Sequence, residues 1–284
     1  MPFLQAGGCE VYGLSRGRPE GEEPSIRWDP VGRTIDTLRL EGMDAVVHLA
    51  GENLGKGRWS RRKKSRIYSS RVEGTRFLCE SLTKLENPPK VLVSASAVGY
   101  YGNRGNEVLT EDSEPGSGFL ADVCRGWEES SGLARQKGIR VVNLRIGVVL
   151  SPAGGALAQM LPHFQAGAGG ALGSGQQYIS WISIDDLAGI IEYVINDKRL
   201  AGPVNAVAPH PVTNRELTKT LGKVLGRPTV MSVPAFAARM ALGEVADEVL
   251  LASARVEPKR LMESGYAFQY PELEAALRHV LNRH

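Results

Sequence analysis

The sequence predicts an α/β protein with a doubly wound, mostly parallel sheet, a smaller second lobe and a helical C-terminal region. Two observations support this fold class. Apolar strand-like runs alternate with amphipathic helical segments through residue 150, which is the pattern of βαβ units. The strongest of these runs are nearly continuously apolar, as is typical of parallel strands covered by helices on both faces. The 284 residues are enough for one large domain or two modest ones.

The predicted strands before residue 150 are short apolar runs. They lie at residues 11–15, 25–28, 44–50, 90–94 and 140–150. Two helices are predicted between the later strands, at residues 60–86 and 119–137, and the first of them repeats apolar side chains at helical spacing. Strands that alternate with helices in this way predict right-handed crossovers and a parallel sheet.

The second half of the chain is richer in glycine and alanine, most densely between residues 154 and 175. Strands are predicted at residues 178–184 and 204–207. Helices are predicted at residues 156–165, 185–195, 213–225, 233–251 and 271–281. Asp185 or Ser183 is expected to cap the second of these helices. Thr213 and Glu216 are spaced as a capping box at the start of the third.

Composition and charge are those of an ordinary soluble protein, with 42% hydrophobic residues, 23% charged residues and a net charge of +3. This charge is too small to indicate a nucleic-acid partner, and no apolar run approaches the roughly 18 residues of a membrane span. Cys9, Cys79 and Cys124 lack metal-ligand or CxxC spacing, and no signal peptide is recognisable, so a cytoplasmic location is expected. We expect a small-molecule substrate, while the sequence does not predict an oligomeric state.

Basic residues follow the predicted strand at residues 11–15, which occupies the place of the second strand of a dinucleotide-binding fold. Ser15, Arg16 and Arg18 stand at its end, and the next acidic residue is Glu20. In dinucleotide-binding folds an acidic residue at this place suits the ribose of NAD, whereas a basic residue suits the 2′-phosphate of NADP. The pattern therefore favours NADP over NAD. The alternative is that these are solvated charges of a loop.

Glycine and a cation follow the next strong strand. The sequence HLAGENL, residues 48–54, ends a strand at Ala50 and Gly51, where the backbone can approach a ligand closely. Arg71 lies further along the following helix and could face a phosphate or a carboxylate. The basic run at residues 57–66 is interpreted as a solvated helix start rather than a nucleic-acid patch, because the remaining charge is balanced.

Small hydroxyls and two tyrosines follow the strand at residues 90–94, in the stretch SASAVGYYG. Ser94 and Ser96 could hydrogen-bond a substrate oxygen. Tyr100 or Tyr101 could exchange a proton if a neighbouring cation lowers its pKa from about 10. The alternative is that these are turn residues with one buried phenol. No zinc spacing, GxSxG elbow or Walker loop occurs.

Several stretches together resemble one family: LSRGR, VVHLAGENL, SASAVGYYG, GFLADVCRGWEE, RIGVVLSPAGGAL and WISIDDLAGI. The sequence resembles the extended short-chain dehydrogenase/reductases. More narrowly, it is similar to the atypical epimerase-family group once labelled cell-division-inhibitor-like, whose C-terminal domain of unknown function resembles the tail from residue 233 onward. The resemblance implies a Rossmann-like NADP-binding domain at residues 1–150. The remaining Rossmann elements and a substrate lobe would follow at 151–230, and a C-terminal helical domain at 231–284.

The resemblance also implies roles for particular residues. Ser15 and Arg16 would meet the adenosine 2′-phosphate, and Ser94 and Ser96 would lie on the strand beside the nicotinamide. The remaining implied cofactor contacts are Leu49, Ala50, Gly51, Arg71, Arg145, Gly147 and Val148.

Two departures from the family pattern accompany this resemblance. The family begins with a strand and a GxxGxxG loop, and we expect this sequence to start after both, near the end of the first helix. The family's dehydrogenases also carry YxxxK, in which the lysine lowers the pKa of the catalytic tyrosine. The corresponding stretch here, GFLADVCRGW, has neither residue at that spacing. Tyr100 or Tyr101 would have to replace the missing phenol.

Three functions remain open on the sequence. The first is an NADP-dependent oxidoreductase or epimerase acting on a small hydroxyl or carbonyl compound, in which Ser96 polarises the substrate oxygen and Tyr100 or Tyr101 moves the proton. The second is a nucleotide-binding regulatory or scaffolding protein without turnover, which the missing YxxxK favours. The third is a nucleotide-sugar epimerase proper, against which the missing pair argues.

Overall fold

The structure, a computed structural model, describes residues 2–16, 25–55 and 57–283. The strands are β1 (Gly13–Ser15), β2 (Ser25–Asp29), β3 (Thr34–Ile35), β4 (Ala45–His48), β5 (Val91–Ala97), β6 (Val108–Leu109), β7 (Arg140–Ile146), β8 (Val148–Leu150), β9 (Gly170–Leu172), β10 (Tyr178–Ile179), β11 (Trp181–Ser183), β12 (Gly202–Ala206), β13 (Val212–Thr213), β14 (Met231–Val233) and β15 (Arg255–Val256). The α-helices are α1 (Pro2–Ala6), α2 (Arg61–Tyr68), α3 (Gly74–Leu82), α4 (Phe119–Gln136), α5 (Gly155–Gln165), α6 (Ile184–Asn196), α7 (Asn214–Leu225), α8 (Ala235–Leu242), α9 (Lys259–Ser264) and α10 (Leu273–Val280).

A four-stranded parallel sheet in the order β12-β7-β5-β4 forms the centre of the protein. Strands β1 and β2 pair in parallel in a separate sheet, to which β3 adds an antiparallel edge. Among the described residues no backbone pairing joins these two sheets. The predicted α/β class with a doubly wound parallel sheet is confirmed.

Helices cover the central sheet on both faces, as its apolar strands predict. On one face, β5 and β7 pack against α3 and α4 through Leu92, Val141, Leu78, Leu82 and Ala134. On the other face, the alternate residues of the same strands join a larger core with α6 and α7, formed among others by Val93, Leu144, Ile190, Val194 and Leu221. Because successive side chains of a strand point to opposite faces, β5 and β7 contribute residues to both cores.

Two predicted strand boundaries were wrong near the candidate site. Strand β5 continues past the predicted end at Ser94 to Ala97, so Ser96 lies within the strand and not beyond it, because β5 stays paired with β7 up to Ala97 and Ile146. The single strand predicted at residues 140–150 is two strands, which are separated at Gly147. There the chain leaves β7 and β8 pairs with β11, and a Cβ on Gly147 would lie 2.5 Å from the carbonyl oxygen of Ser180.

Two helices in the second half of the chain are capped by residues that the sequence predicts. Ser183, rather than Asp185, caps α6 by accepting a hydrogen bond from the amide of Asp186. The capping box of Thr213 and Glu216 at the start of α7 is confirmed in both directions. The helix predicted over residues 233–251 was wrong as a single element. Helix α8 ends at Leu242, because Gly243 has a positive φ of 63°, and a short π-helical turn, Ala246–Leu250, follows.

The lowered pKa of His48 should make the stability of this fold depend on pH. His48 is buried on β4, 3.0 Å from the Thr75 hydroxyl, and burial lowers its pKa from 6.5 to about 4. Protons therefore bind the unfolded chain first as pH falls below 6.5, and stability is lost progressively down to about pH 4. The free energy of unfolding should fall by roughly 3 kcal/mol over that range from this group alone.

The measurement is urea unfolding between pH 7 and pH 4. We expect the His48→Gln variant to lose this part of the pH dependence, and His210→Gln, which changes an exposed histidine, to retain it. An unchanged slope in His48→Gln would show that other groups cause the acid destabilisation.

Candidate active site

The carboxyl ends of β4, β5 and β7 meet at one edge of the central sheet, and most predicted site residues lie there. His48 on β4 is in register with Ser94 on β5, and Ser96 on β5 is in register with Arg145 on β7. Open α/β sheets bind their ligands at this edge. The register therefore places the predicted serines and Arg145 near this edge, where all three side chains are buried.

The turn after β4 brings a glycine against a cation. A Cβ built on Gly51 would lie 3.0 Å from the Cζ atom of Arg71, so any larger residue would displace the guanidinium. Arg71 donates to the carbonyl oxygen of Glu52 at 3.0 Å and lies over the Trp127 ring at 5.1 Å. Burial lowers the pKa of Arg71. Leu49 and Gly51 are exposed and Ala50 is half-buried, so this turn presents both backbone and cation to a ligand.

Ser96 and Arg145 are joined by an acidic residue of α4 that the sequence did not single out. Ser96 Oγ donates to Glu128 Oε1 at 2.7 Å. Arg145 donates from Nε and Nη2 to the two oxygens of the same carboxylate at 2.9 and 3.0 Å. The side chains of Arg145 and Glu128 are only 3% and 13% exposed. A bidentate ion pair with this little exposure holds both side chains in fixed orientations.

The two tyrosines have different surroundings. Tyr101 has 0% exposure, donates to Asn205 Oδ1 at 2.7 Å and accepts from Arg145 Nη1 at 2.9 Å. Tyr100 is half-buried, and the Arg145 guanidinium lies 3.5 Å from its ring centroid. Tyr101 is therefore held in the core, and the geometry favours Tyr100 as the phenol that can meet a substrate.

The condition set for proton exchange, a tyrosine pKa lowered by a neighbouring cation, is not met by either tyrosine. Burial raises the pKa of Tyr100 above 10.0 and outweighs the opposing effect of Arg145. Burial likewise raises the pKa of Tyr101 to about 12. Both phenols therefore hold their protons at neutral pH, and Tyr100 is suited to donate a proton rather than to accept one.

The face of α4 that looks onto the end of β5 has neither tyrosine nor lysine. A Cβ on Gly99 would lie 3.4 Å from Cβ of Leu120 and 3.9 Å from Sγ of Cys124. These two residues are four apart, at the spacing of YxxxK. Burial raises the pKa of Cys124 to about 12, so its thiol stays protonated. Helix α4 thus offers an apolar wall and a neutral thiol here.

The other predicted residues are more scattered. Ser94 is buried within β5, and its hydroxyl reaches the carbonyl oxygen of Ala95 at 3.5 Å. Gly147 and Val148 lie at the junction of β7 and β8. Ser15 ends β1 and Arg16 follows it, exposed, so both belong to the other sheet. Arg18 and Glu20 lie outside the described residues. Within the described ranges, no three His, Cys, Asp or Glu side chains gather closely enough to hold a metal ion.

Glu128 has a sequence signal that the prediction missed. It follows Leu120 and Cys124 at four-residue steps, so it lies on the same buried face of α4. A carboxylate on a buried face needs a partner, and Arg145 on the neighbouring strand is that partner. The other missed residue, Glu248, is far away in sequence and is described below.

Comparison with protein families and known proteins agrees with this architecture. Residues 3–207 match the NAD dependent epimerase/dehydratase family, and residues 233–280 match a domain of unknown function, DUF1731. An epimerase family protein of Mycobacterium bovis is 41% identical over 280 residues, which cover 99% of this chain and 92% of the relative. The predicted resemblance, including the C-terminal domain, is confirmed.

Two solved structures are similar over nearly the whole chain. The crystal structure of the human epimerase family protein SDR39U1 with NADPH has a TM-score of 0.91 at 35% identity, and the match covers 99% of this chain and 94% of that one. A nucleoside-diphosphate sugar epimerase from Corynebacterium glutamicum has a TM-score of 0.78 at 39% identity, covering 98% of this chain and 54% of that one. None of the helices in the described part of the chain is both long and apolar enough to cross a membrane.

Proposed function

The chain belongs to the NAD dependent epimerase/dehydratase family, and from that premise we propose that it is an NADP-dependent oxidoreductase or epimerase of a small hydroxyl or carbonyl compound. The observation that carries the proposal is the single network of Ser96, Glu128, Arg145 and Tyr100 at the carboxyl edge of the sheet. It lies beside the turn of Gly51 and Arg71, because Arg71 stacks on Trp127, the residue next to Glu128.

The residues present fit a dinucleotide in two respects. The half-buried Arg71 guanidinium occupies the space that a side chain at Gly51 would fill, which sets a cation beside exposed backbone. The exposed Arg16 follows the end of β1, where a basic residue suits a 2′-phosphate. The similarity to a human protein crystallised with NADPH supports the same choice of cofactor. A nicotinamide cofactor supplies hydride donation and acceptance when it is bound.

The chain's own residues supply orientation and the proton. The phenol of Tyr100 keeps its proton at neutral pH, so it can protonate the oxygen of a carbonyl compound as that compound is reduced. Ser96 donates its hydroxyl proton to Glu128, so it orients this carboxylate instead of polarising a substrate oxygen as the sequence predicted. Arg145 fixes the carboxylate of Glu128 and the ring of Tyr100 at once. These roles favour reduction over oxidation at neutral pH.

The remaining expectations are part of the same proposal. We place the protein in the cytoplasm, with a small-molecule substrate and without a nucleic-acid or membrane partner. The mild net charge and the unpaired, sparse cysteines support this proposal.

A second candidate function is a nucleotide-binding protein without turnover. It is favoured by the face of α4 towards Gly99, which carries Leu120 and Cys124 and therefore provides no tyrosine with a lysine-lowered pKa. Both functions require binding of the same cofactor, but only the first includes hydride transfer. A measurement of hydride transfer therefore decides between them.

Cofactor preference tests the proposed role of Arg16. We expect calorimetry on the 284-residue chain to show tighter binding of NADPH than of NADH. Arg16→Ala should weaken NADPH binding by about tenfold or more while leaving NADH binding nearly unchanged, because only NADPH carries the phosphate that pairs with a guanidinium.

Arg135→Ala is the matched control, since it removes an exposed arginine at the C-terminal end of α4. It should change neither affinity. Equal affinity of the unsubstituted chain for NADPH and NADH would refute the assignment of Arg16.

A further inference from the structure

The segment between β5 and α4, residues 98–118, carries Tyr100 and is held along its length by the C-terminal region. We call residues 240–260 the C-terminal clamp, and all of it lies inside the match to the domain of unknown function. Its apolar part packs Leu242 and Val245 against Trp59 and Val123. The clamp therefore packs against α4 and against the chain just before α2.

Glu248 of the clamp caps the first turn of α4. Its two carboxylate oxygens accept hydrogen bonds from the amides of Phe119 and Leu120 at 3.2 and 3.0 Å. The N-cap residue of α4, Gly118, has no side chain to do this, and a Cβ there would lie 2.6 Å from Glu248 Oε1. The first amides of a helix lack intrahelical partners, and a carboxylate near them is stabilising. The cap of α4 is thus supplied by a residue more than a hundred positions away.

Ser253 of the clamp holds the loop that follows Tyr100. Its amide donates to Asn103 Oδ1 at 3.1 Å, and its carbonyl oxygen accepts from the amide of Arg104 at 2.8 Å. Its hydroxyl donates to the carbonyl oxygen of Gly105 and also accepts from the amide of Tyr178. The polar atoms of Ser253 therefore bind the Tyr100 loop, and its hydroxyl also binds Tyr178 of β10.

The far end of the clamp adds a strand pair to the same segment. Strand β15, which follows Ser253 in the clamp, pairs in parallel with β6, which follows the Tyr100 loop. The amide of Arg260 donates to Glu111 Oε1 at 3.3 Å, and the carbonyl oxygen of Glu111 accepts from Arg145 Nη1 at 3.3 Å. Glu111 thus links the clamp to the Arg145 network, because Arg260 and Arg145 both donate hydrogen bonds to it.

We propose that the C-terminal clamp positions the candidate active site, with Glu248 as the positioning residue for α4 and Ser253 as that for the Tyr100 loop. This gives the domain of unknown function a role: it holds Glu128 on α4 and Tyr100 on its loop at the distance that Arg145 spans. The positioning role is a property of the fold, whereas its effect on catalysis rests on the proposed function.

Hydrogen exchange measured by mass spectrometry on the full chain tests the clamp without any substrate. In Glu248→Ala, a peptide covering residues 118–124 should exchange between about twofold and thirtyfold faster than in the unsubstituted chain, because loss of an N-cap exposes the first-turn amides. Peptides from α7 should be unchanged. Glu248→Gln retains one carbonyl acceptor and should give an intermediate rate.

Asp247→Ala is the matched control, because Asp247 lies next to Glu248 and forms an ion pair with the exposed Arg239 instead of with α4. It should leave the exchange of residues 118–124 unchanged. An unchanged rate in Glu248→Ala, or an equal increase in Asp247→Ala, would overturn the capping role.

A kinetic measurement tests the catalytic consequence separately. With a carbonyl substrate and NADPH, Glu248→Ala should lower kcat and leave the KM for NADPH unchanged, and Glu248→Gln should recover part of kcat. Accelerated exchange with unaltered kcat would retain the cap and contradict its part in catalysis. Absence of turnover in the unsubstituted chain would instead contradict the proposed function, and the exchange result would still decide the clamp.

Discussion

Replacing Arg145 with methionine should lower the free energy of unfolding by about 3–5 kcal/mol, the largest stability effect that we expect in this protein. Arg145 is 3% exposed and neutralises a carboxylate that is itself mostly buried. Without it, Glu128 would be a buried charge with only Ser96 as a donor. Tyr101 would also lose a donor to its hydroxyl oxygen.

Urea unfolding of single and double variants measures this effect. The double variant Glu128→Leu with Arg145→Met should be clearly more stable than Arg145→Met alone, because it removes the unpaired charge. Arg145→Lys should also lose stability, since an ammonium cannot donate to both carboxylate oxygens and to Tyr101 in the same geometry. Equal stability of Arg145→Met and the unsubstituted chain would mean that the pair is not buried in solution.

Replacing Tyr100 with phenylalanine should lower kcat for carbonyl reduction by about 10²- to 10⁴-fold, the range expected when a general acid is removed. The Tyr100 side chain is half-buried and its ring against Arg145 is retained, so the free energy of unfolding should change by about 1 kcal/mol or less. The measurement is NADPH oxidation with a panel of carbonyl compounds. Because the pKa of Tyr100 is raised above 10.0, the rate of reduction should not fall between pH 6 and pH 9 from loss of this proton.

Tyr101→Phe is the matched control and should have the opposite profile. It removes the hydroxyl that donates to Asn205 and accepts from Arg145, both in the core. Leaving the buried Asn205 Oδ1 without this donor should cost about 1–3 kcal/mol of stability, with kcat for carbonyl reduction largely retained. Full activity in a variant that carries both substitutions would remove the tyrosines from the mechanism.

The fold could be predicted because its strands are nearly continuous apolar runs. Strand β5 is buried on both faces, and its alternate residues enter two different cores. A continuous apolar run is therefore enough to locate it in the sequence. The break at Gly147 could not be predicted, because RIGVVL reads as one strand. Only the approach of Gly147 to the carbonyl oxygen of Ser180 shows where the chain changes partner.

The candidate site was predicted in part. Ser96, Tyr100 and Arg145 lie together because parallel strands end at one edge of the sheet, which the element order implies. Tyr100 and Tyr101 could not be distinguished by sequence, since their difference depends on Asn205, which is far along the chain. Glu248 was missed for the same reason. A cap from another domain has no local spacing to reveal it.

The most direct measurement of the central claim follows a deuterium label. The 284-residue chain would be incubated with NADPH that carries deuterium at C4 of the nicotinamide and with a panel of small carbonyl compounds, while calorimetry records cofactor binding. We predict that one class of compound acquires deuterium at its carbonyl carbon, and that the Tyr100→Phe variant slows this transfer. Binding of NADPH without deuterium in any product would contradict hydride transfer and favour a nucleotide-binding protein without turnover.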